Sequence, residues 1–361
     1  MRLRPAFPAL LTLACVVAAA VPSDYWRLDG ARNGAYLRYG MQGLEVLALQ
    51  HALIAASVPC PETSTFDTTT LSAVRAFQQR SGVTVDGVVG PQTVSALDRA
   101  LGVQPPRGIP QRPSGAMSGS AFMTATWTMD RTRRESSMLT ELSRGNLPPF
   151  ERRFMGVTVT DAGPDGVPHT VTYQVMPDYL AIGSDTDFVR IPANPLTAQR
   201  VADQFGCSLP TRKMVNQIWR AAAARFAPIP MTPGPQMMSN AYFQEHNRRI
   251  ELQRAGRPLG LLLGGTKKDV VISNRLLSYP TRVAIYGWHQ LNGSPIQPLS
   301  TVHENTYADY SHGIRLVKKA VVVDGRTMDI VDVLRSVSLS YLLSDEGRMP
   351  TPRIPGVPEP R

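Results

Sequence analysis

Between Gly82 and Thr93 the chain reads Gly82-Val-Thr-Val-Asp86-Gly87-Val-Val-Gly90-Pro91-Gln-Thr93, a string that leaves the backbone few options. Asp86-Gly87 asks for a tight turn with a positive φ at the glycine. Gly90-Pro91 then opens a helix, because proline is tolerated in the first turn, where its missing N–H is not needed. That helix carries Val94, Leu97 and Leu101 on one face and stops at Gly102. Upstream, Leu71, Val74 and Phe77 recur at helical spacing from about Thr69 to Arg80. Leu44, Leu47, Ala48, His51 and Ala52, with Leu49 and Leu53, mark a helix before it. Residues 37–102 are therefore expected to be a compact all-α module with Phe77 filling the space between helices.

This stretch resembles the peptidoglycan-binding domain family, a three-helix module attached to many wall hydrolases. The resemblance rests on Gly43-Leu44-Glu45-Val46-Leu47-Ala48-Leu49-Gln50, on Thr70 with Ala73-Val74-Arg75-Ala76-Phe77-Gln78, and on the Gly82–Thr93 segment. It covers under a fifth of the 361 residues and implies peptidoglycan as the partner. One departure stands out: Pro59-Cys60-Pro61-Glu62-Thr63-Ser64-Thr65-Phe66-Asp67 replaces the family's short Asp-Gly turn, where the module could meet its ligand. The motif residues themselves read as structural, not as ligand contacts.

Arg2 and Arg4 precede an apolar run from Leu10 to Ala20 that ends in small residues, the pattern of a secretory signal peptide over residues 1–20. The run is too short for a permanent membrane span, and no later segment would cross. Cys15 lies within it, but Thr12-Leu13-Ala14 is a poor lipobox. With 38 Lys+Arg against 28 Asp+Glu the formal charge is +10, and loss of Arg2 and Arg4 leaves +8. A basic exported protein suits anionic wall polymers, or the charge simply keeps it soluble. No nucleic-acid motif accompanies the charge, so nucleic acid is not expected as a partner. The expected location is secreted or periplasmic, at the cell envelope. Cleavage leaves Cys60 and Cys207, which read either as one disulfide or as a buried residue plus a reactive thiol.

Residues 103–121 are rich in Pro, Gly and Ser and read as a linker. Residues 122–345 follow as a larger α+β domain, and the Pro-rich residues 346–361 as a disordered tail. Strand patterns fall at Val157 to Val159, Val171 to Val175, Phe188 to Ile191, Val270 to Ser273, Val283 to Tyr286, Ile314 to Val317 and Ala320 to Val323. Helices are expected from Asn194-Pro195 to Gly206, from Thr211 to Phe226, from about 239 to 254, and from Met328 to Leu343. Arg131, Arg133 and Arg134 read as a solvated helix face.

The chemistry is expected where imidazoles gather. His289, His303 and His312 fall within 24 residues, with Trp288, Glu304, Tyr307, Asp309, Tyr310 and Arg315 around them, at strand ends and the loops between. One reading is a thiol hydrolase: Cys207 as nucleophile near a helix start, His312 as proton shuttle, Asp324 orienting the imidazole. That order is similar to papain-like hydrolases, including NlpC/P60 wall peptidases, although Gly206-Cys207-Ser208-Leu209-Pro210 lacks their Asp-Cys-Ser-Gly pattern. A second reading, needing zinc, makes His289, His303, Asp309 and His312 metal ligands with an open position for water. Ser311-His312 and Trp288-His289 echo the LAS zinc peptidases in reversed order. In a third reading Trp288, Tyr307 and Tyr310, with Arg315, bind sugar or wall polymer without catalysis. Thr266-Lys267-Lys268, ahead of the strand at 270, could bind an anion but reads rather as a solvated basic turn, and His51, His169 and His246 as isolated residues without a role. The preferred reading is an enzyme, a wall hydrolase cutting a peptide or amide bond without a cofactor.

Overall fold

The computed structural model describes residues 21–22, 24–28, 31, 36–103, 108–163 and 166–358. The expected leader at 1–20, with Cys15, lies outside the described residues, as do linker residues 104–107 and residues 359–361. The chain forms a helical N-terminal region followed by a mixed α+β region, and divides into two compact units. One holds the described residues of 1–26 with 37–103; the other holds those of 27–36 and 104–360.

The first unit is built on α1 (Leu44–Ala55), α2 (Thr68–Arg80) and α3 (Pro91–Leu101). Asp67 caps α2 by accepting from the Thr70 N–H, Pro91 opens α3, and Gly102 closes it in the left-handed region at φ 68°. Leu49, Leu53, Phe66, Val74, Phe77, Val94 and Leu97 are fully buried among the three helices. Gly87 has φ 75°, a left-handed conformation that L side chains rarely adopt, so the turn calls for glycine. Two buried glutamines hold the loops. Gln78 Nε2 donates to Asp86 Oδ1 (2.8 Å), Val88 O (2.9 Å) and Thr93 Oγ1 (3.0 Å), and its Oε1 accepts from Gly87 N. Gln50 does the same for the long loop: its Oε1 accepts from Thr63 N and Ser64 N, while Nε2 reaches Thr65 O and Thr70 Oγ1.

The second unit begins with α4 (Gly119–Ala125) and α5 (Arg131–Ser143). Strands β1 (Met155–Ala162) and β2 (Pro168–Val175) form a hairpin in which Val157 faces Tyr173 and Val159 faces Val171. Then come β3 (Ala181–Ser184), β4 (Asp187–Arg190), α6 (Pro195–Gln204), β5 (Cys207–Ser208), α7 (Arg212–Ala221), β6 (Ala224–Arg225) and α8 (Asn240–Arg254). The remaining elements are β7 (Leu263–Gly264), β8 (Lys268–Val270), α9 (Arg275–Ser278), β9 (Ile285–His289), β10 (Pro295–Ser300), β11 (His312–Gly313), β12 (Val317–Val323), β13 (Arg326–Asp329) and α10 (Ile330–Arg335). One sheet runs β1-β2-β12-β13 with β5 also paired to β12; the other runs β10-β9-β8-β11. In the second sheet β8 is central, antiparallel to β9 and parallel to β11.

Several expectations need correction. The last helix is shorter than Met328–Leu343, because Met328 and Asp329 pair with β12 and Asp329 caps α10 by accepting from Val331 N. α7 stops at Ala221, and Ala224 joins β7 instead. Residues 314–316 lie outside the strands, and β12 is one continuous strand to Val323. Arg134 is buried, with Nη1 on Asn240 Oδ1 (3.0 Å) and its guanidinium over Phe243, since its face of α5 packs on α8. The expected linker is ordered from 108: Arg112 donates to Asn146 Oδ1, Gly183 O, Ala116 O and Met117 O. The expected disordered tail is part of the core, because Met349 and Ile354 are fully buried in the main hydrophobic cluster.

Candidate functional site

The middle of the second sheet sets one row of residues in register. His312 of β11 pairs with Lys268 of β8, and Lys268 pairs with Gly287 of β9. Beside Gly287, Trp288 is held at φ 55°, in the left-handed region rare for a bulky residue, while its N–H donates to Lys267 O (3.1 Å). The approach to β11 is a tight turn made by Asp309. Its Oδ1 accepts from Ser311 N (2.8 Å) and Ser311 Oγ (2.5 Å), and its carbonyl accepts from His312 N (3.0 Å). Its other carboxylate oxygen accepts from Tyr307 Oη (2.9 Å). The Tyr307 ring stacks on His303 at 4.2 Å and meets the His312 ring edge-on at 5.6 Å. Three of the expected residues, His303, Asp309 and His312, thus surround Tyr307.

The electrostatics follow from burial. His312 is fully buried with neither ring nitrogen bonded, and desolvation pulls its pKa down to about 4, so the imidazole is neutral. Burial pushes the Asp309 carboxyl up, but His312, the Ser311 hydrogen bonds and Lys268 together hold it below its ordinary value. Lys267 is buried with Nζ on Tyr310 O (2.7 Å), and desolvation, with Arg190 adding, brings it down to about 7. Lys268 is half-buried, its ammonium 5.2 Å over the Trp288 ring, and burial lowers its pKa too. On the far side His246 of α8 packs at 4.9 Å from Tyr310 and 6.2 Å from Trp288. Both His246 nitrogens are buried and unbonded, and desolvation holds it well below 6.5.

Sequence reasoning missed His246 as a member of this cluster, and it took Lys267 and Lys268 for a solvated turn, whereas Lys267 is buried and Lys268 half-buried. Lysine is almost never fully buried, so the burial of Lys267 beside the strand Lys268–Val270 had no signal in the sequence. For His246, more than forty residues from the other imidazoles, no local pattern existed.

The other expected roles are not borne by the geometry. Cys207 lies in the first sheet, opposite Lys318, with Sγ on Phe205 O; burial pushes its thiol up to about 12, far from a thiolate. Cys60 and Cys207 are both free, so the disulfide reading fails as well. Asp324 sits in the β12–β13 turn, where its carboxylate holds His169 Nδ1 and Thr170 N of β2, so it orients His169 and not His312. His289 turns away to bond Asn216 Oδ1 (2.8 Å) and stack on Trp219 at 5.7 Å, with burial pulling its pKa down to about 4. Among the described residues no three His, Cys, Asp or Glu side chains converge as metal ligands. With both Asp309 oxygens already engaged, the four-ligand zinc set does not fit these residues. Arg315 is a structural pin: its guanidinium donates to Met176 O, Pro177 O and Leu263 O and stacks over Tyr179. Trp288 and Tyr310 are 5% and 2% exposed and packed edge-to-face, so neither offers an open ring face to a sugar.

Elsewhere, an open cleft of about 510 Å³ runs between Asp187 and Arg254. Its two arginines are already paired, Arg254 with Glu251 and Asp178 and Arg248 with Glu245. No helix among the described residues is long and apolar enough to cross a membrane.

Residues 42–97 match the family described as "Putative peptidoglycan binding domain", the family that Gly43 to Thr93 resembles. Over 68 residues the chain is 40% identical to the N-acetylmuramoyl-L-alanine amidase CwlL of Bacillus licheniformis, covering 18% of this chain and 19% of that protein. Over 100 residues it is 30% identical to a "Probable N-acetylmuramoyl-L-alanine amidase" of the same organism, covering 27% and 24%. The chain thus spans no more than about a quarter of the length of these curated relatives. Among solved structures, a Burkholderia AP3 phage endolysin is 26% identical over 35% of this chain and 44% of that one, with a TM-score of 0.18.

Proposed function

We propose that this protein is an exported cell-wall hydrolase, held on peptidoglycan by its first unit and cutting a peptide or amide bond with its second. The observation that carries the reading is the convergence of His303, Tyr307, Asp309 and His312 beside Lys267 and Lys268, on a chain whose residues 42–97 match a peptidoglycan-binding family. The curated relatives that are amidases support the choice of bond, as a likeness over part of each chain.

In this reading His303 is the working imidazole, because it is the one in the cluster that water reaches. It takes a proton from water as the oxygen attacks the carbonyl carbon. Lys268 supplies positive charge to the developing oxyanion. The C–N bond then breaks, and the imidazolium returns the proton to the leaving nitrogen. Tyr307 keeps its proton, since burial and Asp309 both raise its pKa, and through the Asp309 bond it fixes the plane on which His303 stacks.

Digestion of purified cell walls tests this. The full chain should release new amino groups without new reducing ends. His303→Ala should lower that rate by about 100-fold or more. Cys207→Ser and added EDTA should leave it unchanged. Walls that are bound but release nothing would reduce the protein to an adhesive one.

A further inference from the structure

Around Tyr310, several buried polar groups have no partner, and each of them has an N–H to give. The Trp288 indole N–H is buried and unbonded, as are the ring nitrogens of His246 and His312. The Lys268 ammonium has no hydrogen-bond acceptor among the described residues, only the Trp288 ring beneath it at 5.2 Å. An indole and an ammonium can only donate, while each neutral imidazole has one N–H to give and one nitrogen that accepts. Buried polar groups in native proteins are almost always satisfied, so a concentration of orphan donors calls for an acceptor that enters from outside. The groups are neighbours: Trp288 and Tyr310 rings are 6.3 Å apart, His246 is 4.9 Å from Tyr310, and His312 pairs with Lys268 across the sheet.

We propose that these donors form an anion subsite that takes the terminal carboxylate of a peptide. Lys268 stands at its mouth, Trp288 and His312 donate N–H groups, and Lys267 adds charge from below. The inference rests on the hydrolase reading for the word peptide, and it makes the enzyme act at free peptide ends instead of in mid-chain. The carboxylate nearby, Asp309, does not fill the subsite, because Tyr307 and Ser311 occupy its oxygens. Two lysines against that one carboxylate leave at most a single excess positive charge, which suits a monoanion better than phosphate. Access runs past half-buried Lys268 and Tyr307 and exposed His303.

The test uses the full chain and an N-acetylated dipeptide in two forms, free acid and carboxamide, with binding followed by calorimetry. The acid should bind about tenfold tighter than the amide. Lys268→Met should abolish that preference and Lys268→Arg restore part of it. Trp288→Phe, which removes one N–H with little change of shape, should weaken acid binding and leave amide binding alone. Equal binding of acid and amide by the wild type overturns the subsite, as does inorganic phosphate displacing the acid at equal concentration. An acid preference that survives in both Lys268→Met and Trp288→Phe also overturns it. Wall digestion on the same samples separates the two ideas. Digested walls with no acid preference sink the subsite and spare the hydrolase, whereas an acid preference with intact walls supports the anion site and sinks the hydrolase.

Discussion

His312 enters the interior as a neutral imidazole, and that choice has a thermodynamic signature. Its pKa is about 4 in the folded protein, against 6.5 for an ordinary histidine. Between those values the unfolded chain binds a proton that the native state refuses, so this group's contribution to stability falls as pH drops from about 6.5 to 4. Asp269 and Asp329, both pushed up to about 6 by burial, act in the opposite sense, since the native state keeps protons that the unfolded chain has lost above 3.8. The His312 part is therefore read as a difference. Relative to His312→Asn, the wild type should lose about 3 kcal/mol between pH 7 and pH 4, measured by urea unfolding followed through tryptophan fluorescence. A flat difference would mean that the native imidazole carries a proton. The same burial explains why Cys207 was misread. Its place between a helix stop and a helix start was legible, but an exposed thiol and one at 2% exposure have the same sequence around them.

At the scale of elements, the first unit hangs on its two glutamines. Gln78→Leu would strand the Gly87 N–H and the donors and acceptors of the turn after α2, at a cost of about 2 kcal/mol. A thermal melt of the full chain should show that unit's transition moving down, with the second unit's transition unmoved. The α2 and α3 boundaries were legible to within a residue, because the spacing of Leu71, Val74 and Phe77 and the Gly90-Pro91 and Gly102 breaks are local signals. The end of the chain was not. Met328 and Asp329 share helical spacing with the residues after them, yet pairing with β12 outweighs it, since a central strand offers four partners in register. The β12–β13 hairpin then carries Asp324 to β2 and His169, not to His312.

For the whole molecule, binding and cutting should separate. Deleting residues 37–103 should remove retention on purified walls while leaving the rate on a short soluble peptide unchanged, because the first unit would act only by raising local concentration. Loss of both would tie the first unit to catalysis. The C-terminal segment gives a second prediction. Stopping the chain after Glu346 removes Met349 and Ile354 from the core, each worth about 2–5 kcal/mol. The second unit should then melt well below the full-length protein or fail to stay soluble, whereas an unchanged melt would show that the segment is not packed. A proline-rich composition suggested disorder there, and two buried side chains were enough to reverse it.

By itself the amino-acid order determined the first unit, its helices, caps and turn, and the α+β character of the rest, since those follow from local backbone preferences and from periodicity. It also pointed to the segment from His303 to His312, where Asp309 builds its own turn. Only the tertiary structure decided which imidazoles face one another, that Lys267 and His246 join them, and that Cys207, Asp324, His289 and Arg315 do not. Those outcomes depend on burial and on pairing between distant strands, and a protonation state is set by the surroundings that folding assembles, not by its neighbours along the chain.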